Sequence, residues 1–289
     1  VISFKDPTHK VIAKWKRPNN LIINRVTMPI GVLGVIYEAR PNVTSDVAIL
    51  SFKSGNSAIL RGGKEALKSN ITISNLFRAS LKKNNINQDC IQLVNNTDRK
   101  IVDLMLSKMS DYIDIIIPRG GKSLVKKVLE LSKVPTIGHL EGLCHVYLDN
   151  QYNYNTAEKL IINSKLRRTS ICGAAETLLI HKSVKKNDIY KILKKLTIQG
   201  CNIIGDKKIK KIFEESILAK ENDWSTEYLD SKISVKVVNN LNEAIDHIKK
   251  YGTNHTECII SKNKKNIKDF ERRVSSSIVM TNASTQFAD

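Results

Sequence analysis

The chain has 289 residues, 41% of them hydrophobic, which is enough for the core of one large domain or two ordinary ones. Its formal net charge is +19, but the lysines are scattered over helical patterns with little aromatic interleaving, so a solvated lysine-rich surface is expected rather than a nucleic-acid platform. No run of about 18 apolar residues occurs, which argues against a membrane-spanning helix. The five cysteines, Cys90, Cys144, Cys172, Cys201 and Cys258, form no CxxC pair; this speaks against zinc or a disulfide framework and for a reducing, cytoplasmic setting. Val1-Ile2-Ser3-Phe4-Lys5-Asp6 lacks the apolar run of a signal peptide. The chain starts without Met and stops at Phe287-Ala288-Asp289, so it is read as a fragment missing both ends.

In chain order, Ile30 to Tyr37 is an apolar run that predicts a buried strand. Thr44 is read as the N-cap of a helix over Ser45 to Lys53, with Gly55 as its stop. The pattern then predicts a strand at Ser57 to Leu60, a long helix from Lys64 to about Lys83, a strand at Ile91 to Val94 and a helix at Asp98 to Leu106. A strand at Ile113 to Ile117 follows, then Pro118-Arg119-Gly120-Gly121 and a helix at Lys122 to Leu131. From Cys144 the alternation continues through strands at Cys144 to Leu148, Glu176 to His181, Val235 to Val238, Cys258 to Ile260 and Ser277 to Asn282. Helices are expected between them at Tyr154 to Leu166, Lys186 to Lys195, Leu241 to Lys249 and Asn263 to Arg273. Asp206 to Asp230 is the least clearly patterned segment. Repeated β-α units with apolar strands imply an α/β fold with a parallel, doubly wound sheet, and a domain boundary is placed near Gly138.

Open α/β sheets bind ligands at the carboxyl ends of their strands. Three segments fall there: Glu38-Ala39-Arg40-Pro41-Asn42, Arg61-Gly62-Gly63-Lys64 and Pro118-Arg119-Gly120-Gly121-Lys122. The last two join glycines to cations at a strand-to-helix turn, where backbone N–H groups can approach a phosphate. Neither is a Walker loop or a GxGxxG fingerprint, and a plain turn explains each equally well. Arg167-Arg168-Thr169-Ser170-Ile171-Cys172-Gly173-Ala174-Ala175-Glu176 places a cysteine between helix and strand, just after two arginines. Adjacent guanidinium charge favours the thiolate, so Cys172 is either a nucleophile or a structural thiol.

Pro29 to Thr44, Lys53-Ser54-Gly55-Asn56, Ile59 to Gly63, Ile116 to Gly121, Gly138-His139-Leu140-Glu141-Gly142 with Cys144-His145-Val146-Tyr147, the cysteine segment and Val279 to Thr285 occur in one order and spacing. Together they resemble the gamma-glutamyl phosphate reductases of the aldehyde dehydrogenase superfamily, from about Trp15 to Asp289. The resemblance implies a Rossmann-like NADP-binding domain over 1–138, an α/β catalytic domain over 139–282 and the start of a C-terminal return segment over 283–289. It implies reduction of L-glutamyl 5-phosphate by NADPH to L-glutamate 5-semialdehyde through a cysteine thioester, the second step of proline biosynthesis. A homo-oligomer and a contact with glutamate 5-kinase are further expectations from it.

Residue by residue, the resemblance makes Cys172 the nucleophile and Asn42 an oxyanion donor. It puts Arg61, Gly62, Lys64, Arg119, Gly120, Gly121 and Glu227 at the cofactor, with Arg61 near the adenosine ribose and Glu227 near the nicotinamide ribose. Lys64 stands where NAD-preferring relatives carry an acid, so it favours the 2′-phosphate of NADP. Arg40, Arg167 and Arg168 are candidates for the substrate's phosphate or carboxylate, by charge and position. His139 replaces the glutamate base with which oxidative relatives activate water, and a reductase has no use for thioester hydrolysis. The competing readings are another acyl-phosphate or aldehyde enzyme of the superfamily, an inactive fragment, and a basic nucleic-acid-binding protein.

Overall fold

The computed structural model describes residue 1 and residues 3–288; Ile2 and the last residue of the 283–289 segment lie outside the described residues. It divides into two compact units, Val1–Leu140 and Glu141–Asp289.

The first unit opens with an antiparallel hairpin of β1 (Val11–Lys16) and β2 (Ile22–Val26). Then come β3 (Val32–Tyr37), α1 (Pro41–Lys53), β4 (Ser57–Arg61), a 3-10 turn (Lys64–Ala66), α2 (Leu67–Lys83) and β5 (Ile91–Leu93). After these come α3 (Arg99–Lys108), β6 (Ile115–Arg119) and α4 (Lys122–Leu131). The sheet runs β5-β4-β3-β6 with every pair parallel, Gly34 lying opposite both Ile59 and Ile116. Leu33, Val35, Tyr37, Ala48, Leu60 and Ile91 pack on one face, and Ile36, Val102, Met105, Leu106, Ile116 and Val128 on the other. Apolar residues covered on both faces explain why β3 reads as a continuous hydrophobic run.

Helix α1 begins at Pro41, four residues before the expected start. Proline suits the first helical position because its missing N–H has no partner to lose there. Thr44 is therefore not a cap. It sits buried inside the helix, where its hydroxyl donates to Asn70 Oδ1 at 2.9 Å and takes a bond from the Tyr37 hydroxyl at 2.6 Å. Asp98, expected as the first residue of α3, is its cap instead, Oδ1 accepting from the Lys100 N–H at 2.9 Å.

The second unit contains β7 (Cys144–Leu148), α5 (Tyr154–Leu166), β8 (Ala175–His181), α6 (Lys186–Ile198), β9 (Asn202–Gly205), α7 (Lys207–Ile212) and β10 (Ile217–Leu218). They are followed by β11 (Lys232–Val238), α8 (Leu241–Tyr251), β12 (Thr256–Ile260), α9 (Lys264–Arg273) and β13 (Ile278–Thr281). Its seven strands run β10-β9-β11-β8-β7-β12-β13, all parallel. A large core including Val146, Ile161, Leu178, Ile192 and Val235 covers one face; Tyr147, Leu179, Ile245, Ile259 and Phe270 cover the other. The fold class is α/β with two parallel sheets. Among the described residues no helix is long and apolar enough to cross a membrane.

Candidate active site

In the first unit a cleft of about 700 Å³ opens at the carboxyl ends of β3 and β4. Arg40, Arg61, Gly63, Lys64, Arg99 and Lys127 line it, with Glu38 and Glu65 as its acids. Arg61 is buried, and its Nη2 donates to the carbonyls of Thr97 at 3.0 Å and Asp98 at 3.4 Å. Burial, reinforced by the Arg99 charge, holds the Arg61 guanidinium below its ordinary value. Its buried Nε has no partner among the described residues. Gly63 is where β4 meets the following turn, and a Cβ there would come within 3.0 Å of the Ala39 backbone N. Gly62 is tighter, a Cβ lying 2.2 Å from Asn70 Nδ2.

Arg119, Gly120 and Gly121 do not line this cleft. The Gly121 N–H donates to Glu38 Oε2 at 2.9 Å, and Gly120 lies against the Glu38 side chain. A carboxylate therefore occupies the anion position at the start of α4, the place the loop offers to a phosphate. Asn42 is exposed in the first turn of α1, its amide donating to Asp46 Oδ2 at 3.3 Å.

In the second unit Cys172 is half-buried in the loop between α5 and β8. Its carbonyl accepts from Cys144 Sγ at 3.0 Å. Burial pushes the Cys144 thiol far up, helped by the Glu257 and Cys172 charges, so Cys144 stays a protonated donor. Gly142 packs directly against the cysteine backbone: a Cβ there would lie 2.2 Å from the Cys172 carbonyl oxygen. The Gly142 N–H in turn donates to Glu227 Oε1 at 2.8 Å. Cys172 and Glu227 thus meet through one glycine. A ring nitrogen of His255 lies within 4.8 Å of the Cys172 sulfur.

The cysteine loop is closed at its root by a buried ion pair, Lys165 Nζ to Glu176 Oε2 at 2.6 Å. Glu176 also accepts from the Leu229 N–H at 3.2 Å. Burial lifts its carboxyl to about 7, with the Lys165 ammonium opposing the rise. Arg167 Nη1 donates to the Gln286 carbonyl at 3.2 Å, and Gln286 Nε2 donates back to the Arg168 carbonyl at 3.2 Å. Both arginines are exposed and brace the loop to the chain near its end.

Arg99, Lys127 and His255 escape sequence reading. Arg99 follows its helix cap at a strand-to-helix turn, the signal that picks out Arg61 to Lys64, but no glycine accompanies it. His255 sits at the amino end of β12, where the carboxyl-end rule does not look.

No family model matches the chain. The gamma-glutamyl phosphate reductase of Mesorhizobium japonicum is 46% identical over 289 residues, which is 100% of this chain and 68% of that protein. The chain belongs to the gamma-glutamyl phosphate reductase family. The crystal structure of the Thermotoga maritima gamma-glutamyl phosphate reductase superposes with a TM-score of 0.94 at 42% identity, over 100% of this chain and 69% of that one. The propionaldehyde dehydrogenase of Rhodopseudomonas palustris shares the fold at 17% identity, with a TM-score of 0.69 over 94% of this chain and 68% of that one. The family's reductases and the aldehyde dehydrogenases therefore share one α/β architecture, and this chain spans about two thirds of each relative.

Proposed function

We propose that the chain reduces L-glutamyl 5-phosphate to L-glutamate 5-semialdehyde with release of phosphate, the reductase step of proline biosynthesis, and that Cys172 carries the acyl group as a thioester. Family membership supports the reaction. The observation that carries the assignment of the nucleophile is the mounting of Cys172: half-buried, its carbonyl held by Cys144 and its backbone seated on Gly142. A thiolate fixed in this way attacks the acyl carbon, and phosphate departs. The Cys172 N–H is the proposed donor to the oxyanion, and such a donor is worth about 3 kcal/mol. Arg167 and Arg168 supply positive charge for the doubly anionic substrate.

The donor set of the first unit fits a phosphate-bearing dinucleotide. The cleft carries five cations against two acids, an orphaned buried Arg61 Nε, and a glycine where a side chain would press on the backbone. The reduced nicotinamide, when bound, supplies hydride to the thioester. Lys64 and Arg99 are the residues for a 2′-phosphate, and so for NADP over NAD. Gly62 and Gly63 let the backbone approach the pyrophosphate. Glu227, steadied by the Gly142 N–H, would hold the nicotinamide ribose. Arg119, Gly120 and Gly121 remain further cofactor candidates, at a turn whose N–H is held by Glu38.

The test is phosphate-dependent reduction of NADP by glutamate 5-semialdehyde, the reverse reaction, in the native protein and in Cys172→Ala. Loss of at least about 10³-fold in the variant supports the thioester route. Equal rates would remove Cys172 as the nucleophile.

A further inference from the structure

The loop that leads into β12 is held more firmly than a connection needs to be. Thr253 Oγ1 accepts from the Leu143 N–H at 3.0 Å, which ties the loop to the segment beneath Cys172. Asn254 takes a left-handed backbone, φ 58°, a conformation that asparagine tolerates better than most residues. The Asn254 carbonyl accepts from Ser277 N–H at 2.9 Å and the His255 carbonyl from Ile278 N–H at 3.0 Å. Main-chain bonds on both sides thus present one imidazole. Its Nδ1 lies 2.9 Å from Thr256 Oγ1 and 3.6 Å from Cys144 Sγ. Contact with Thr256 fixes the plane of the ring, and a ring nitrogen comes within 4.8 Å of the Cys172 sulfur. Nucleophile, imidazole and orienting hydroxyl are the parts from which thiol-activating dyads are made, and such bonds are often long before substrate binds.

We propose that His255 is the proton acceptor for Cys172; the proposal rests on Cys172 being the nucleophile. The thiol proton passes to the imidazole, leaving a thiolate beside an imidazolium. The thiolate then forms the carbon–sulfur bond as the carbon–oxygen bond to phosphate breaks. The imidazolium returns its proton to the departing oxygen, so hydrogen phosphate leaves and the ring is neutral again. This is a different task from the glutamate of oxidative relatives, which activates water: here the base serves the thiol alone, and hydrolysis of the thioester is not promoted. Other titratable groups near this corner of the second unit include Cys144 of β7, Glu257 of β12, Glu227, and Glu141, which adjoins Gly142. Burial keeps Cys144 protonated, Glu257 is bonded to His145 Nδ1 at 2.9 Å, and Glu227 is bonded to Gly142.

The experiment is alkylation of Cys172 by iodoacetamide across the pH range, read by peptide mass spectrometry on the full chain, in the native protein, His255→Ala and His255→Gln. Glutamine keeps a side-chain hydrogen bond but accepts no proton. Both variants are expected to lower the Cys172 rate near neutral pH by roughly tenfold or more and to move the midpoint of the profile upward. A native profile in His255→Gln overturns the proposal, because the residue would then act by shape alone. An unchanged profile in both variants, with Cys172→Ala still inactive in turnover, overturns the role of His255 and leaves the nucleophile intact. Full turnover by Cys172→Ala is the separate failure of the nucleophile reading. If His255→Ala does not fold, His255→Gln decides the question by itself.

Discussion

Removing the Lys165 ammonium is expected to be among the most costly single changes in the second unit. Lys165 and Glu176 are both fully buried, so Lys165→Met strands a carboxyl that has lost its hydration and its counter-charge. Breaking a buried pair from one side costs about 3–5 kcal/mol. Against a domain stability of roughly 5–15 kcal/mol, that shifts a urea midpoint by on the order of 2 M. The loss should depend on pH. Burial raises Glu176 in the folded state to about 7, above its ordinary 4.5. The stability that this raised value contributes is complete below the unfolded value and is lost as pH rises through the folded one. Without Lys165 the folded value rises further, so the deficit of the variant should be small near pH 5 and largest above about pH 8. Urea titrations followed by tryptophan fluorescence at both ends of that range are the assay. The double variant Lys165→Met, Glu176→Gln should recover most of the loss, because Gln can still accept from the Leu229 N–H. A deficit below about 1 kcal/mol, or one equal at both pH values, would refute the view that this pair is a charged staple at the root of the cysteine loop.

Gly142→Ala drives a methyl group to 2.2 Å from the Cys172 carbonyl oxygen, so turnover should fall about 100-fold at a stability loss of about 1–3 kcal/mol, measured by kcat and by thermal unfolding. Lys64→Glu and Arg99→Ala should each weaken NADPH binding about tenfold or more while changing NADH binding by less than about threefold, as read by fluorescence titration. Equal losses for the two nucleotides would move the 2′-phosphate away from these side chains.

The parallel sheets are legible in the sequence because their strands are covered on both faces. Ile30 to Tyr37 is therefore an apolar run broken only by glycines, and Cys144 to Leu148 is one broken only by the buried His145. The hairpin β1–β2 is not legible, for the converse physical reason. Every residue of β1 is exposed, so nothing imposes an alternation of apolar and polar residues on Val11 to Lys16. In Asp206 to Asp230 the elements are too short for a period to register: α7 has six residues and β10 two. The start of α1 is misread because Thr44 has the chemistry of a cap, while its hydroxyl is committed to Tyr37 and Asn70 in the interior. The first-unit cleft is partly legible, since glycines beside cations mark Arg61 to Lys64. The same marks at Arg119 to Gly121 do not disclose that Glu38 already fills the anion position there.

Burial sorts the five cysteines in a way their sequence settings cannot. Cys144, Cys201 and Cys258 are buried, and loss of hydration pushes Cys201 and Cys258 up to about 12 and Cys144 well above its usual range. A thiol held protonated is a poor nucleophile, because the thiolate is the reactive species. Cys144 is nevertheless within bonding distance of the site, and its protonation gives it a different use: a neutral S–H can donate to the Cys172 carbonyl, whereas a thiolate there would repel it. Cys90 packs against the core of the first unit, beside β5. That leaves Cys172, half-buried, with a glycine beneath it, a donor on its carbonyl and an imidazole nearby. Arg167, through its guanidinium, and Arg168, through its carbonyl, brace the loop on Gln286, so the segment that makes Cys172 recognisable in the sequence also holds it in place.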